Sequence, residues 1–130
     1  MSDPISNLFA QISNANHKFI ETVDTPASKM KVEVVKVLKE EGFIGNYKVV
    51  QDQQRPVLRI TLKFSPQKER VFQKIKRISH QGLRIYRKYS EIPPIQNGLG
   101  CAILSTSRGV MSGQKAREKK VGGEVLCYIW

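Results

Sequence analysis

Apolar positions along the chain change period several times, and each period predicts an element. Ile5, Leu8, Phe9, Ile12, Phe19 and Ile20 recur at helical spacing behind Asp3-Pro4, a capping residue followed by the residue best suited to a first helical turn. A second helix is expected from Ser28, its cap, through Glu41, with Met30, Val34, Val37 and Leu38 inward and Gly42 as its stop. Over residues 43–50 and 57–64 the period shortens to two, and in the second stretch Leu58, Ile60, Leu62 and Phe64 alternate with Arg59, Thr61 and Lys63. These strands are expected to form a hairpin across the polar residues 51–56, packed on the two helices.

Residues 65–70 carry turn formers and no apolar period, which places a boundary there between lobes 1–65 and 66–130. Beyond it, residues 71–78 and 83–89 predict strands around the turn Ser79-His80-Gln81-Gly82. Residues 90–99, with Pro93-Pro94, predict a loop that has room for one helical turn. Residues 100–106 form an apolar strand, Ser112 caps a short basic helix through Lys120 ahead of Gly122-Gly123, and residues 124–130 close the chain as a buried strand. The expected fold class is α+β in two small lobes. The N-terminal lobe is α/β, two helices on a short sheet; the C-terminal lobe is mainly β with a short helix.

Composition adds a partner class. The 130 residues are 40% apolar and 25% charged, ordinary globular usage, but 22 basic residues oppose 11 acidic ones for a net charge of +11. Residues 1–65 hold nine basic and seven acidic residues, whereas residues 66–130 hold thirteen and four. A field of that sign attracts polyanions, nucleic acid first and anionic membrane second, and the second lobe supplies most of it. The chain contains no apolar run of membrane-spanning length, and Met1-Ser2-Asp3-Pro4 lacks the features of a signal peptide, so a soluble, unexported protein with no membrane partner is expected. Cys101 and Cys127 sit in apolar runs without ligand-spaced neighbours and read as small buried hydrophobes; neither metal nor cofactor is expected.

Catalysis has little support. His17 and His80 lie on a presumed exposed helix side and in a turn, without a nucleophile or carboxylate partner at a useful spacing. Gly98-Leu99-Gly100 opens like a dinucleotide fingerprint but leads into a strand rather than a helix. The informative cluster is Ser105-Thr106-Ser107-Arg108-Gly109 at a strand end: three hydroxyls, a guanidinium and a glycine. The commoner use of such a sequence is a turn that satisfies its own backbone; the alternative is a tip that offers donors and acceptors to a nucleic acid. Arg84, Tyr86 and Lys88 alternate so as to project together, either as a solvated strand face or as a ring between two cations that stacks on an unpaired base. Lys115, Arg117, Lys119 and Lys120 form a charge run that adds affinity rather than specificity.

These motifs, taken in order, resemble the bacterial-type small-subunit ribosomal protein number eight, the universal uS-eight family. The likeness is strongest in Gly98-Leu99-Gly100, in Ile103 through Met111, and in Ala116-Arg117 followed by Val121-Gly122-Gly123-Glu124-Val125-Leu126-Cys127-Tyr128. Gly82-Leu83-Arg84-Ile85-Tyr86, Pro26-Ala27-Ser28-Lys29-Met30-Lys31 and Leu38-Lys39-Glu40-Glu41-Gly42-Phe43 also fit. The resemblance implies a structural constituent of the small ribosomal subunit, a primary binder of small-subunit rRNA in the central domain, or platform, that supports assembly on cytoplasmic or organellar ribosomes. It implies RNA contacts by Ser105, Thr106 and Ser107, with Tyr86 and Gly122-Gly123-Glu124 nearby and Asp3, Pro4, Ser28, Lys29 and Lys31 as further candidates. Implied partners are that rRNA, neighbouring small-subunit proteins and the protein's own messenger RNA.

Members of the family commonly carry two arginines in the first helix where this chain has Gln11-Ile12-Ser13-Asn14, so RNA contact from that helix is not expected. The counterpart of Gly113 is often a helix-starting residue, which shifts the cap to Ser112. In the resulting reading the hydroxyl loop and Tyr86 recognise an irregular RNA surface, Arg84, Lys88, Arg108, Gly109 and Lys115 supply phosphate contacts and close approach, and Glu124 orients the loop. A protein-binding module with incidental RNA affinity is the alternative, and a hydrolase built on Ser105 the third.

Overall fold

A computed structural model describes residues 4–95 and 98–130. Two compact units divide between Phe72 and Gln73. Asp3, expected to cap the first helix, lies outside the described residues.

In the first unit, helix α1 spans Pro4–His17 and buries Ile5, Leu8, Phe9, Ile12, Ala15 and Asn16. It stops short of Phe19 and Ile20, which continue the apolar period but are 43% and 48% exposed. The amide of Ile20 bonds the Ala15 carbonyl at 2.8 Å and Phe19 takes φ +59°, the left-handed residue of a Schellman stop. Periodicity cannot register this reversal, because the terminating position carries phenylalanine in place of glycine. The chain then forms strand β1, Thr22–Pro26, which sequence reading missed because it buries only Val23 and Thr25.

Helix α2, Lys29–Glu40, begins at Ser28, whose hydroxyl accepts from the Lys31 amide at 3.2 Å. Val34, Val35, Val37 and Leu38 face inward; Met30, expected among them, faces out. Strands β2, Asn46–Asp52, and β3, Arg55–Thr61, are longer toward their turn than expected. Only Gln53 and Gln54 separate them, at φ +45° and +73°, so most of the anticipated polar linker is paired strand. A two-residue turn of this hand matches strand twist, but without Asn-Gly or Asp-Gly it leaves no sequence signature. The sheet is antiparallel in the order β1-β3-β2.

Residues 65–72 also belong to this unit. Arg70 donates through Nε to the Asn16 carbonyl at 3.1 Å and through Nη2 to the His17 carbonyl at 2.5 Å, closing the C-terminal end of α1. The Asn16 amide donates to the Phe72 carbonyl at 2.9 Å. Residues 71–74 are therefore not strand, and the segment after Ser65 is fastened back to the first helix.

The second unit, Gln73–Trp130, contains β4 (Ile75–Arg77), β5 (Tyr86–Arg87), a 3₁₀ turn (Tyr89–Glu91), β6 (Cys101–Thr106), β7 (Gly109–Ser112), α3 (Gly113–Glu118) and β8 (Gly123–Ile129). The strands expected over residues 71–78 and 83–89 are shorter than that, and across their turn only the antiparallel bridge His80–Leu83 joins them. Instead β4 and β5 pair in succession with β8, Ile75–Arg77 against Ile129 to Cys127 and Tyr86–Arg87 against Glu124 and Gly123. The two short strands lie end to end on one edge of a sheet ordered β4-β8-β6-β7. Strand β7 was also unforeseen, hidden behind the loop-like residues that precede it.

One sheet face packs on α3 and the loop before β6, through Ile92, Ile95, Ala102, Leu104, Met111, Ala116 and Val125. Ser112 caps α3, accepting from the Lys115 amide at 3.2 Å, and the helix ends at Glu118 rather than Lys120. On the other face Ile103, Cys127 and Ile129 are fully buried, while Cys101, expected to be buried, is half-buried. Trp130 lies past the end of β8 and is half-buried too.

Candidate nucleic-acid interface

Register decides which residues meet. Tyr86 of β5 lies opposite Glu124 of β8, which lies opposite Ser105 of β6, itself opposite Val110 of β7. Directly opposed residues share a face, so Tyr86, Glu124 and Ser105 stand in one row although they are separated by up to 38 positions of sequence. The adjacent row, Arg87, Gly123, Thr106 and Gly109, points to the other side.

Two glycines make the row possible. A Cβ on Gly122 would lie 2.5 Å from the Arg87 carbonyl oxygen and 2.9 Å from Lys88 Cα; one on Gly123 would overlap the Ser105 carbonyl and sit 3.1 Å from Thr106 Cα. Any side chain there would push apart the strands that carry Tyr86 and Ser105. Gly122 and Gly123 thus permit close packing of backbone beside the hydroxyl loop.

Glu124 is held in place. Its Oε2 accepts from Ser79 Oγ at 2.7 Å and from Arg84 Nη1 at 3.0 Å, and Ser79 Oγ in turn accepts from the Ile85 amide at 2.9 Å. Ser79 has no exposed surface. This hydroxyl ties the turn after β4 to β5 and β8, a function that sequence reading missed because a serine in a turn has no burial signal. Arg84 does not extend an alternating strand with Tyr86 and Lys88, since only Tyr86–Arg87 is strand; its guanidinium is paired with Glu124. Tyr86 itself is 64% exposed, and Lys88 is exposed beside it.

At the hydroxyl loop both sequence readings are realised, by different residues. Thr106 Oγ1 donates to the Gly109 carbonyl at 2.7 Å and accepts from the Arg108 amide at 3.1 Å, so this hydroxyl is spent on the turn. Gly109 sits at φ +106°, open to glycine and strained for other residues. Ser107 and Arg108 form the exposed tip, and Ser105 is half-buried in the row with Glu124. Among the described residues neither the Ser105 nor the Ser107 hydroxyl has a hydrogen-bond partner.

Of the basic run, Arg117 donates to the Ile92 carbonyl at 3.0 Å and secures the loop before β6, whereas Lys115, Lys119 and Lys120 are exposed. In the first unit Pro4 and Lys29 are exposed and the Ser28 hydroxyl is occupied as a helix cap. Lys31 is buried: its Nζ donates to Thr25 Oγ1 at 3.2 Å and to the Pro26 carbonyl at 3.0 Å, and desolvation lowers its pKa. It braces the start of α2 rather than presenting a surface charge, a correction to its place among the RNA-facing candidates.

The sheet edge brings together uncommitted hydroxyls, an exposed tyrosine and flanking cations, and this arrangement offers hydrogen-bonding, stacking and charge rather than a set of catalytic groups. Comparison with known proteins supplies the family. Residues 3–130 match the family Ribosomal protein S8. A small ribosomal subunit protein uS8 of Moorella thermoacetica is 47% identical over 130 residues, covering all of both chains. Proteins of the same name from Geobacillus kaustophilus and Caldicellulosiruptor bescii are 48% and 49% identical, covering 100% and 98% of this chain and 98% and 97% of their own. The chain belongs to the ribosomal protein S8 family, structural components of the small ribosomal subunit and not enzymes.

Proposed function

We propose that the second unit binds folded small-subunit rRNA and holds it in the platform during subunit assembly. The observation that carries this reading is the row Tyr86, Glu124 and Ser105, assembled from three strands next to the Ser107-Arg108 tip. RNA helices have a deep, narrow major groove and a shallow minor groove lined by 2′-hydroxyls, so recognition works by shape, ribose contact and stacking on unpaired bases. Ser105 and Ser107 supply short neutral donors and acceptors for ribose or base edges, Tyr86 supplies a ring, and Glu124 keeps Arg84 in position. Residues 73–130, with eleven basic and three acidic residues, supply the phosphate attraction through Lys88, Arg108, Lys115 and their neighbours.

Exposed Leu83 and Leu99 on the same unit favour additional contacts with neighbouring small-subunit proteins. Filter binding of a small-subunit rRNA transcript over a salt series tests the division of labour. Arg108→Ala and Lys115→Ala should weaken binding and reduce the salt slope by about one each. Ser107→Ala should weaken it with the slope unchanged. Identical slopes for all three variants would overturn the proposal.

A further inference from the structure

We propose a second nucleotide-binding cleft in the first unit, formed by Phe19, Phe64, Leu62, Lys63 and Lys68, that holds one unpaired base of RNA. It rests on the reading that the protein binds RNA but uses none of the residues of the face described above. The cleft has a volume of about 490 Å³, inside the range of roughly 300–1,000 Å³ typical of small-ligand sites. Two phenylalanine rings line it with centroids 5.4 Å apart and planes tilted by 46°.

Phe19 is unusual on three independent counts. It occupies the left-handed stop of α1, where glycine costs nothing and a bulky side chain is strained. The residue is 43% exposed despite that cost. Arg70, already fixed by two α1 carbonyls, lies with its guanidinium carbon 4.2 Å from the ring centroid, which holds the ring in one orientation. A strained, exposed aromatic that is backed on one face by a guanidinium and lies beside a second ring offers its remaining surface for stacking.

Charge selects the occupant. Among the described residues Lys63 and Lys68 line the cleft with one carboxylate, Glu21. Stacking rings within reach of ammonium groups match a base and its phosphate. An apolar protein side chain would satisfy the rings alone, and an acidic side chain the lysines alone.

Ultraviolet cross-linking of the full-length protein to a small-subunit rRNA transcript, with adducts mapped by peptide mass spectrometry, tests this. Nucleotide adducts are expected on the Phe19 or Phe64 peptides. Phe19→Gly relieves the backbone strain while removing the ring, and should abolish those adducts and weaken binding about tenfold. Phe64→Leu, which keeps apolar bulk, should weaken binding in the same direction, and Lys68→Ala should lower the salt slope by about one. Adducts at Ser105 to Ser107 but none in the cleft would overturn this inference and leave the first reading standing. Adducts in the cleft alone would do the reverse. Unchanged affinity in both phenylalanine variants assigns the rings to packing and overturns the inference, as would capture of an acidic aromatic peptide by a cleft that RNA does not compete for.

Discussion

Removing the Ser79 hydroxyl is the sharpest test of how the row of Tyr86, Glu124 and Ser105 is built. That oxygen donates to Glu124 Oε2 at 2.7 Å and accepts from the Ile85 amide at 2.9 Å, in a residue with no exposed surface. Alanine at this position deletes a hydrogen bond to a carboxylate and removes the Ser79 acceptor of a part-buried backbone N–H. Each loss is worth about 1–3 kcal/mol, and with partial relaxation the sum is about 2–4 kcal/mol. Urea unfolding followed by circular dichroism should show the midpoint falling by about 1–2 M at constant m. The control is Glu124→Gln, which keeps an acceptor for Ser79 and loses only the ion pair with Arg84. Because the Arg84 side chain is 44% exposed, that pair is screened, and its loss should cost under about 1 kcal/mol. If Ser79→Ala costs less than about 0.5 kcal/mol, or no more than Glu124→Gln, the buried hydroxyl is not the tie between the three segments.

Three other outcomes follow from the same geometry. Gly123→Ala should destabilise the second unit by about 1–3 kcal/mol and reduce rRNA affinity in parallel, since its Cβ overlaps the Ser105 carbonyl; an affinity unchanged in filter binding would separate the row from the glycine. Burial pushes the Cys127 thiol up, so iodoacetamide should label Cys101 alone in the native protein and both cysteines in urea, as read by mass spectrometry. Lys31, whose folded pKa lies below its usual 10.5, binds its proton more tightly when unfolded. Wild type should therefore gain stability relative to Lys31→Met as pH rises from the folded pKa toward 10.5. Parallel stability curves from chemical denaturation over that alkaline window would contradict this.

Much of this architecture was legible in the chain, for reasons that can be named. Ser28 and Ser112 sit at cap positions ahead of helical runs, and both accept from the amide three residues on. Leu58, Ile60 and Leu62 alternate and are all buried. Local chemistry decides such features, so local sequence reports them. The failures share the opposite property. The stop of α1 at Phe19, the Gln53-Gln54 turn and the left-handed Lys68 all adopt a backbone hand that glycine would normally announce. The strands expected over residues 71–78 and 83–89 shrink to β4 and β5 because both segments pair with β8, between 36 and 54 positions further on. Lys31 and Ser79 read as surface polar residues until their partners, Thr25 and Glu124, are placed.

By itself the sequence determined the α+β class, most of the helices and strands, the basic bias of the second half, the family, and the hydroxyl loop as the place to look for chemistry. Those properties depend on composition and on neighbours within a turn or two of chain. Tertiary structure alone decided that Tyr86, Glu124 and Ser105 share a row, that Gly122 and Gly123 serve backbone contact, and that Thr106 is spent while Ser105 and Ser107 are not. Strand register is set by long-range pairing and burial, and a shift of one residue would turn every one of those side chains to the other face.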